Sequence, residues 1–398
     1  INRFIKNGTI IALFLIAVLL FNVPLLLGLI IMLVLFILLD KKTYTKKRLI
    51  IYGVIFIGML FLLFNFLIAN PKKILTHLAN NPDTTSLYIA INGEEKVTYE
   101  ADTPRPLASV VKIAIALEYA HQRETGKITE EQQVSLDELE RYYIKHTDGG
   151  AHEAWLDSVA ENKQVKHDHV SLHTVAEGMI TYSSNANTDY LIDLLGVDNI
   201  NERIDELNFI DHDAVYPLVG SLLLNQQYKD AKELDKLSAL SDEAYAQQAF
   251  QISEEVKQQT AGTPKDIDLT IKEQRIWSDR LPKASAKTYG NLLHKIATDT
   301  LPMEGTPIVK QLLEWPMEKV PENKELYRAV GAKGGSTAYI LNQAMYIETK
   351  DDNLYEVVLF MDDLSLWQSF LLQRHINAFI VEVVNDESFL MEVMNVLE

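Results

Sequence analysis

Two long apolar runs at the N-terminal end constrain this chain more than any other feature. Gly8 to Leu39 is 32 residues without a charge, and Leu49 to Ala69 is another 21. About 20 apolar residues cross the hydrocarbon core of a bilayer as a helix, so the second run fits one span. The first is overlong and carries Asn22 and Pro24 near its middle, which allows one tilted, kinked span or a re-entrant hairpin. Neither run has the polar stripe of a buried core helix, and both exceed the length of a cleaved signal peptide. Residues 1–73 are therefore expected to be a membrane anchor.

Between the runs, Lys41, Lys42, Lys46, Lys47 and Arg48 are offset only by Asp40. Such a cluster on a short loop marks the cytoplasmic side. The second span then leads outward, so residues 74–398 are expected outside the cytoplasm, at the plasma membrane of a bacterium. The sequence starts at Ile1 rather than Met, and this topology leaves room for upstream residues.

Charge divides at the same place. Residues 1–73 hold nine of the 37 Lys and Arg and one of the 55 Asp and Glu, so the formal net charge of -18 conceals a cationic anchor and a strongly acidic remainder. That balance excludes nucleic acid as a partner, since phosphate contacts need clustered cations. The absence of cysteine excludes disulfides, thiolate metal sites and a cysteine nucleophile.

Beyond residue 74 the pattern is that of a mixed domain large enough to bury a sizeable core. Leu87–Ile91, Asn92-Gly93 and Val97–Tyr99 predict a hairpin, because Asn-Gly favours the left-handed turn that matches strand twist. Ser109–Gln122 and most of Val170–Leu195 have helical period, the latter with Ser171 as N-cap. Tyr327–Thr337, Ala344–Lys350 and Tyr355–Met361 predict three strands, with Asp351-Asp352-Asn353 as a turn, and Leu364–Leu397 is predominantly helical. Residues 222–280, rich in Gln, Lys, Asp and Glu, predict an inserted, exposed amphipathic helical segment whose scattered Tyr and Trp serve packing.

Three short motifs carry chemistry. In "PLASVVKIAIALEYA", Ser109 and Lys112 stand three apart at a helix start and share a face, so the lysine can reach the hydroxyl. A serine is a weak nucleophile until a base takes its proton, and a lysine kept neutral by burial can do so. "GMITYSSNANTDYLIDLLG" supplies Ser183 and Asn185, and "GAKGGSTAYI" supplies Lys333, Gly334, Gly335 and Ser336 at a strand end, where glycines let a ligand lie against the backbone. Alone, each motif also reads as a capped helix start, a polar helix break or a turn. In this order they form a specific combination.

With these motifs the sequence resembles the serine β-lactamase and penicillin-binding protein superfamily, most closely class A β-lactamases, over roughly residues 84–218 and 284–398. The resemblance implies an α+β fold: an antiparallel sheet flanked by helices, plus an all-helical lobe holding the second motif. It also implies roles. Ser109 would attack a carbonyl with Lys112 as base, and Ser183 would relay a proton to the leaving nitrogen. Asn185 would hold the substrate amide and Lys333 would attract its carboxylate. The backbone N–H groups of Ser109 and Ser336 would form an oxyanion hole beside Gly335. No cofactor is implied.

The departures from class A matter as much. The second motif is Ser183-Ser184-Asn185 rather than Ser-Asp-Asn, and Gly334 replaces a hydroxyl residue. Where class A enzymes place a deacylating glutamate before a proline, "LNFIDHDAVYPLVGS" offers Tyr216-Pro217. Asp211, Asp213, or Glu254 and Glu255 from the insertion are the substitutes within reach. His167, His169 and His173 cluster in "KHDHVSLH", near a helix start where polar residues are ordinary, and no metal site is expected there.

The expectation is thus a membrane-anchored, class A β-lactamase-like serine hydrolase forming a Ser109 acyl-enzyme with β-lactams or related D-alanyl peptides. The alternative within the superfamily is a penicillin-binding, D,D-carboxypeptidase-like protein with slow deacylation. The alternative of another class is a non-catalytic β-lactam sensor or envelope scaffold.

Overall fold

The computed structural model describes residues 68–398 apart from 146, 229, 259–266 and 268. The run 8–39 and nearly all of 49–69 lie outside the described residues, and among those described no helix is long and apolar enough to cross a membrane. Asn70–Glu398 forms one compact unit. Its first helix, α1 (Lys72–Asn80), straddles the boundary expected at residue 73 and buries Ile74, Leu75 and Leu78 in that unit.

A five-stranded sheet organises the unit. Its strands are β1 (Thr85–Ile91), β2 (Glu94–Tyr99), β3 (Tyr327–Ser336), β4 (Leu341–Thr349) and β5 (Leu354–Met361), in the order β2-β1-β5-β4-β3 and antiparallel throughout. The predicted hairpin forms between β1 and β2: Asn92 and Gly93 both take positive φ, 54° and 80°, as a two-residue turn of this hand requires. Asp352, at φ 66°, turns β4 into β5.

Both faces of the sheet are covered, so its strands alternate between two cores. Leu87, Ile89, Val357 and Leu359 face α1 and the C-terminal helices α12 (Ile376–Asn385) and α13 (Glu387–Leu397). Tyr88, Ala90, Val358 and Phe360 face α2 (Lys112–Glu124) and α11 (Ala286–Ala297). Helix α11 carries Gly290 where a side chain would run into the Tyr88 ring.

The all-helical lobe lies between β2 and β3 in the chain. It contains α3 (Ala151–Glu161), α4 (Leu172–Glu177), α5 (Asn185–Leu195) and α6 (Val197–Glu206). Ser171 caps α4 as predicted, accepting from Thr174 N at 3.1 Å.

The described residues of 222–280 form helices, but they are not simply an exposed appendage. Helices α7 (Leu218–Gln226), α8 (Ala231–Ser238), α9 (Asp242–Gln258) and α10 (Ile271–Arg280) share a third core built from Leu222, Tyr245, Ala249, Ile252 and Ile276. Gly220 allows the crossing of α7 and α9, since a Cβ there would lie 2.3 Å from Ala249 O. Apart from the buried Glu273, the described charged residues of this stretch lie on exposed or half-exposed faces and mask an apolar stripe sufficient to pack.

Candidate active site

Ser109 sits in a 3₁₀ turn, Ala108–Val111, that leads directly into α2. The turn is entered through Ala108 at φ 47°, a left-handed conformation that presents the half-buried Ser109 at the floor of a cleft of about 820 Å³. Ser183, Asn185, Gly335 and Ser336 also line this cleft. Lys112 and Lys333 lie beneath its wall, fully or almost fully buried. All seven predicted site residues therefore come together.

Ser183 is the hub. The helix that follows α4 widens into a π-turn over Gly178–Tyr182 and ends at Ser183, which takes φ 71°. Ser184 then caps α5 by accepting from Asn187 N at 3.2 Å, and Asn185 begins that helix. Lys112 Nζ lies 2.6 Å from Ser183 O, 3.2 Å from Ser183 Oγ and 2.9 Å from Asn185 Oδ1. Lys333 Nζ lies 3.0 Å from the same Ser183 Oγ and 3.0 Å from Gly334 O. Ser109 Oγ is not among the partners of Lys112 here, whose amine is turned toward the second motif.

Burial dominates the electrostatics. It holds Lys112 well below the ordinary lysine range; the neighbouring Lys333 pushes the same way, against opposition from Asp148 and Asp189. Burial also brings Lys333 down to about 7. Burial thus favours the neutral form of both lysines, which the Ser183 hydroxyl joins.

The strand end and the serine turn are in direct backbone contact. A Cβ on Gly335 would lie 2.6 Å from Leu107 O, 2.8 Å from Ser109 N and 2.9 Å from Val110 N. Only glycine lets β3 approach this closely, which brings Ser336 alongside Ser109.

Asp148, not singled out from the sequence, ties two loops of the site. Its carboxylate accepts from the N–H groups of Gly150, Ala151, His152 and Asn185. An Asp ahead of Gly149-Gly150 and a helical pattern is a readable capping signal. Asp189, a turn into α5, has a similar role. It accepts from Leu218 N and Val219 N at 2.9 and 2.7 Å, securing the start of α7, and burial pushes it up to about 7.

Tyr216, which the resemblance set at the class A glutamate position, is buried and its hydroxyl donates to Arg280 O, while Leu218 lines the cleft. Asp211, Asp213, Glu254 and Glu255 do not line the cleft, and Asp213 instead accepts from Lys283 N at 3.0 Å. Gln274 and Trp277 of α10 do line it, so the inserted segment supplies some of the site. His169 Nδ1 pairs with His167 O and His173 with Glu177; among the described residues no group of His, Asp and Glu is arranged to hold a metal ion.

Residues 70–385 match a family model described as the beta-lactamase enzyme family. Among solved structures, a beta-lactamase from Chitinophaga pinensis DSM 2588 aligns with 79% of this chain and 100% of its own, at 14% identity and a TM-score of 0.48. A representative of class A beta-lactamase from Bacteroides cellulosilyticus DSM 14838 aligns with 82% and 98%, at 16% identity and 0.47. PBP-A, in an acyl-enzyme complex with penicillin G, aligns with 79% and 95%, at 15% identity and 0.47. No curated protein sequence matches the chain.

Proposed function

The chain belongs to the beta-lactamase enzyme family, and from that premise we propose that it is a membrane-anchored serine hydrolase whose Ser109 forms an acyl-enzyme with β-lactams or related D-alanyl peptides. The observation that carries the proposal is the junction at Ser183, where Lys112, Lys333 and the cleft lined by Ser109 meet.

In the proposed reaction, Lys333 attracts the substrate carboxylate and Asn185 orients its amide. Lys112, neutral through burial, rotates from Asn185 to take the Ser109 proton as Oγ bonds to the carbonyl carbon. The oxyanion faces the N–H groups of Ser109 and Ser336. The C–N bond then breaks, and the proton passes from Lys112 through Ser183 to the departing nitrogen.

Hydrolysis of the ester needs an activated water. Among the described residues Asp148 is the one carboxylate on the cleft wall, and its oxygens already accept four N–H groups. This supports the slow-deacylating, penicillin-binding reading over that of an efficient β-lactamase. Intact mass followed over time after adding a fluorescent penicillin tests both points. An adduct that persists for hours and is absent in Ser109→Ala supports the proposal; no Ser109-dependent adduct and no turnover of a chromogenic cephalosporin would sink it.

The anchor and the outward orientation belong to the proposal, supported by the two apolar runs and the cations between them. Retention in the membrane after alkaline carbonate, with the domain cleaved by protease added to intact spheroplasts, is the expected result.

A further inference from the structure

Ser184 follows the Ser183 hub and is fully buried. Its hydroxyl accepts from Asn187 N at 3.2 Å, donates to Asn187 Oδ1 at 3.1 Å and lies 2.9 Å from Nδ1 of His152. Asn187 turns its Nδ2 to Val175 O at 3.1 Å, which leaves its Oδ1 to take the single Ser184 proton. The remaining lone pair of Ser184 Oγ then accepts from His152, so Nδ1 carries the ring proton.

His152 is suited to be that donor. It stands in the first turn of α3, 1% exposed, and its own backbone N–H donates to Asp148 Oδ2 at 3.2 Å. The ring packs against those of Tyr143 and Trp155, at centroid distances of 4.6 and 5.4 Å. Burial lowers it below the ordinary histidine range, against opposition from Asp148, Glu140 and Glu153, so the ring is neutral near pH 7. Gly178, where the π-turn starts, leaves room for this packing. A Cβ there would lie 2.2 Å from Asn187 Nδ2 and 2.7 Å from Trp155 Nε1.

Ser183 takes φ 71°, a conformation that a residue other than glycine keeps only where its surroundings over-determine it. Two contacts from the start of α3 hold the turn. Asp148 accepts from Asn185 N at 3.4 Å, and His152 holds the Ser184 hydroxyl between Asn185 and the hub. We propose that His152 is a positioning residue for Ser183: through the Ser184 hydroxyl it fixes the turn in which one Oγ reaches both Lys112 and Lys333. The proposal rests on the acylation reading above and deepens it, since His152 does not line the cleft and acts on the proton relay through another residue. Asn185 is secured separately by Asp148, so loss of the His152 contact falls on proton transfer more than on substrate binding.

The test is rapid-mixing acylation of the full chain with a fluorescent penicillin, resolved into the affinity of the first complex and the rate of adduct formation, with melting followed in parallel. His152→Phe keeps a flat ring and removes the donor. Its adduct formation is expected to slow by roughly 10²-fold, the effect of a small misplacement, with first-complex affinity within about threefold of wild type. His152→Asn carries an amide N–H as many bonds from the backbone as Nδ1 and is expected to recover most of the rate. Ser184→Ala should slow the reaction as His152→Phe does, and the double variant little further, because one residue acts through the other. An unchanged rate in His152→Phe, or in Ser184→Ala should His152→Phe not fold, overturns the proposal. A loss carried by affinity alone overturns it too, as does equal slowing of the Phe and Asn variants with lower melting temperatures, which assigns His152 to packing. In each of these outcomes the wild type still forms its Ser109 adduct; a wild type that forms none overturns the acylation reading and this proposal with it.

Discussion

Ser183 Oγ lies 3.0 Å from Lys333 Nζ and 3.2 Å from Lys112 Nζ, so one hydroxyl joins the two buried lysines. A hydroxyl has two acceptor lone pairs and one proton, so with amines on the acceptor side its proton is free to turn toward the cleft that Ser183 lines. In the proposed reaction Ser183 is the group through which a proton leaves Lys112 for the substrate nitrogen. Ser183→Ala is expected to slow acylation by roughly 10²–10⁴-fold, the range for loss of a positioned proton donor. Rapid-mixing kinetics with a fluorescent penicillin checks this, with the final Ser109 adduct still forming.

Lys333 adds a pH dependence whose sign is fixed by its lowered value. In the free enzyme it titrates at about 7, so it is charged below that pH and neutral above it. The second-order acylation constant reports the free enzyme, so for a carboxylate-bearing β-lactam it should fall as pH rises through about 7. Lys333→Arg keeps the charge throughout and should lose this fall, at a lower absolute rate because the fork geometry differs. A wild-type profile that is flat from pH 6 to 8 would contradict the assignment.

The strands, the hairpin and the helix starting at Ser109 were legible because each is encoded locally, by alternation, by Asn92-Gly93, or by a 3.6-residue period over apolar positions. The three motifs pointed to one cleft, around which their residues come together, because these residue types have few other reasons to occur in that order. The orientation of Lys112 was not legible: its turn toward Asn185 depends on the π-turn at Gly178–Tyr182, which no local pattern announces. Nor was the place of α10. The polar composition of 222–280 suggests an exposed segment, whereas Ile276 and Trp277 are set by packing against residues more than fifty positions earlier.

Gly335 is the closest backbone approach at the site, and all three atoms that a Cβ would meet are main-chain. No side chain can move to make room, so Gly335→Ala must push β3 away from the Ser109 turn. A misplacement of about 1 Å in reacting groups costs on the order of 10²-fold. Acylation is expected to drop by about that factor while the circular dichroism spectrum and melting cooperativity are retained.

Arg203 on α6 neutralises a carboxylate buried on α2. Glu118 is 1% exposed and accepts from Arg203 Nε at 3.1 Å and Gln122 Nε2 at 2.7 Å. Removing the cation leaves a buried charge with only an amide donor, a loss of about 3–5 kcal/mol where such pairs are broken. Arg203→Leu should therefore destabilise the protein by several kcal/mol in urea unfolding, and Glu118→Gln in the same chain should recover much of it. Absence of recovery would show that Arg203 acts through packing alone.

Trp277 allows the contribution of the inserted helices to be measured separately from the motifs. Its indole donates to Ser221 Oγ at 2.9 Å and packs on Ala108, Leu218, Leu281 and Ile340, the apolar group beside Ser109. With Leu218 and Leu222 it makes an apolar stretch of cleft wall. Such a wall favours substrates with an aromatic acyl group, since burying a ring of that size contributes about 1.5–3 kcal/mol. Trp277→Ala removes some of that wall, so acylation by a phenylacetyl penicillin should fall about tenfold, equivalent to roughly 1.4 kcal/mol. A penicillin nucleus lacking the side chain should react within about twofold of wild type, because the motif residues are untouched and only the lost wall differs. Equal losses for the two substrates, together with a lower melting temperature, would assign α10 to stability instead of selectivity.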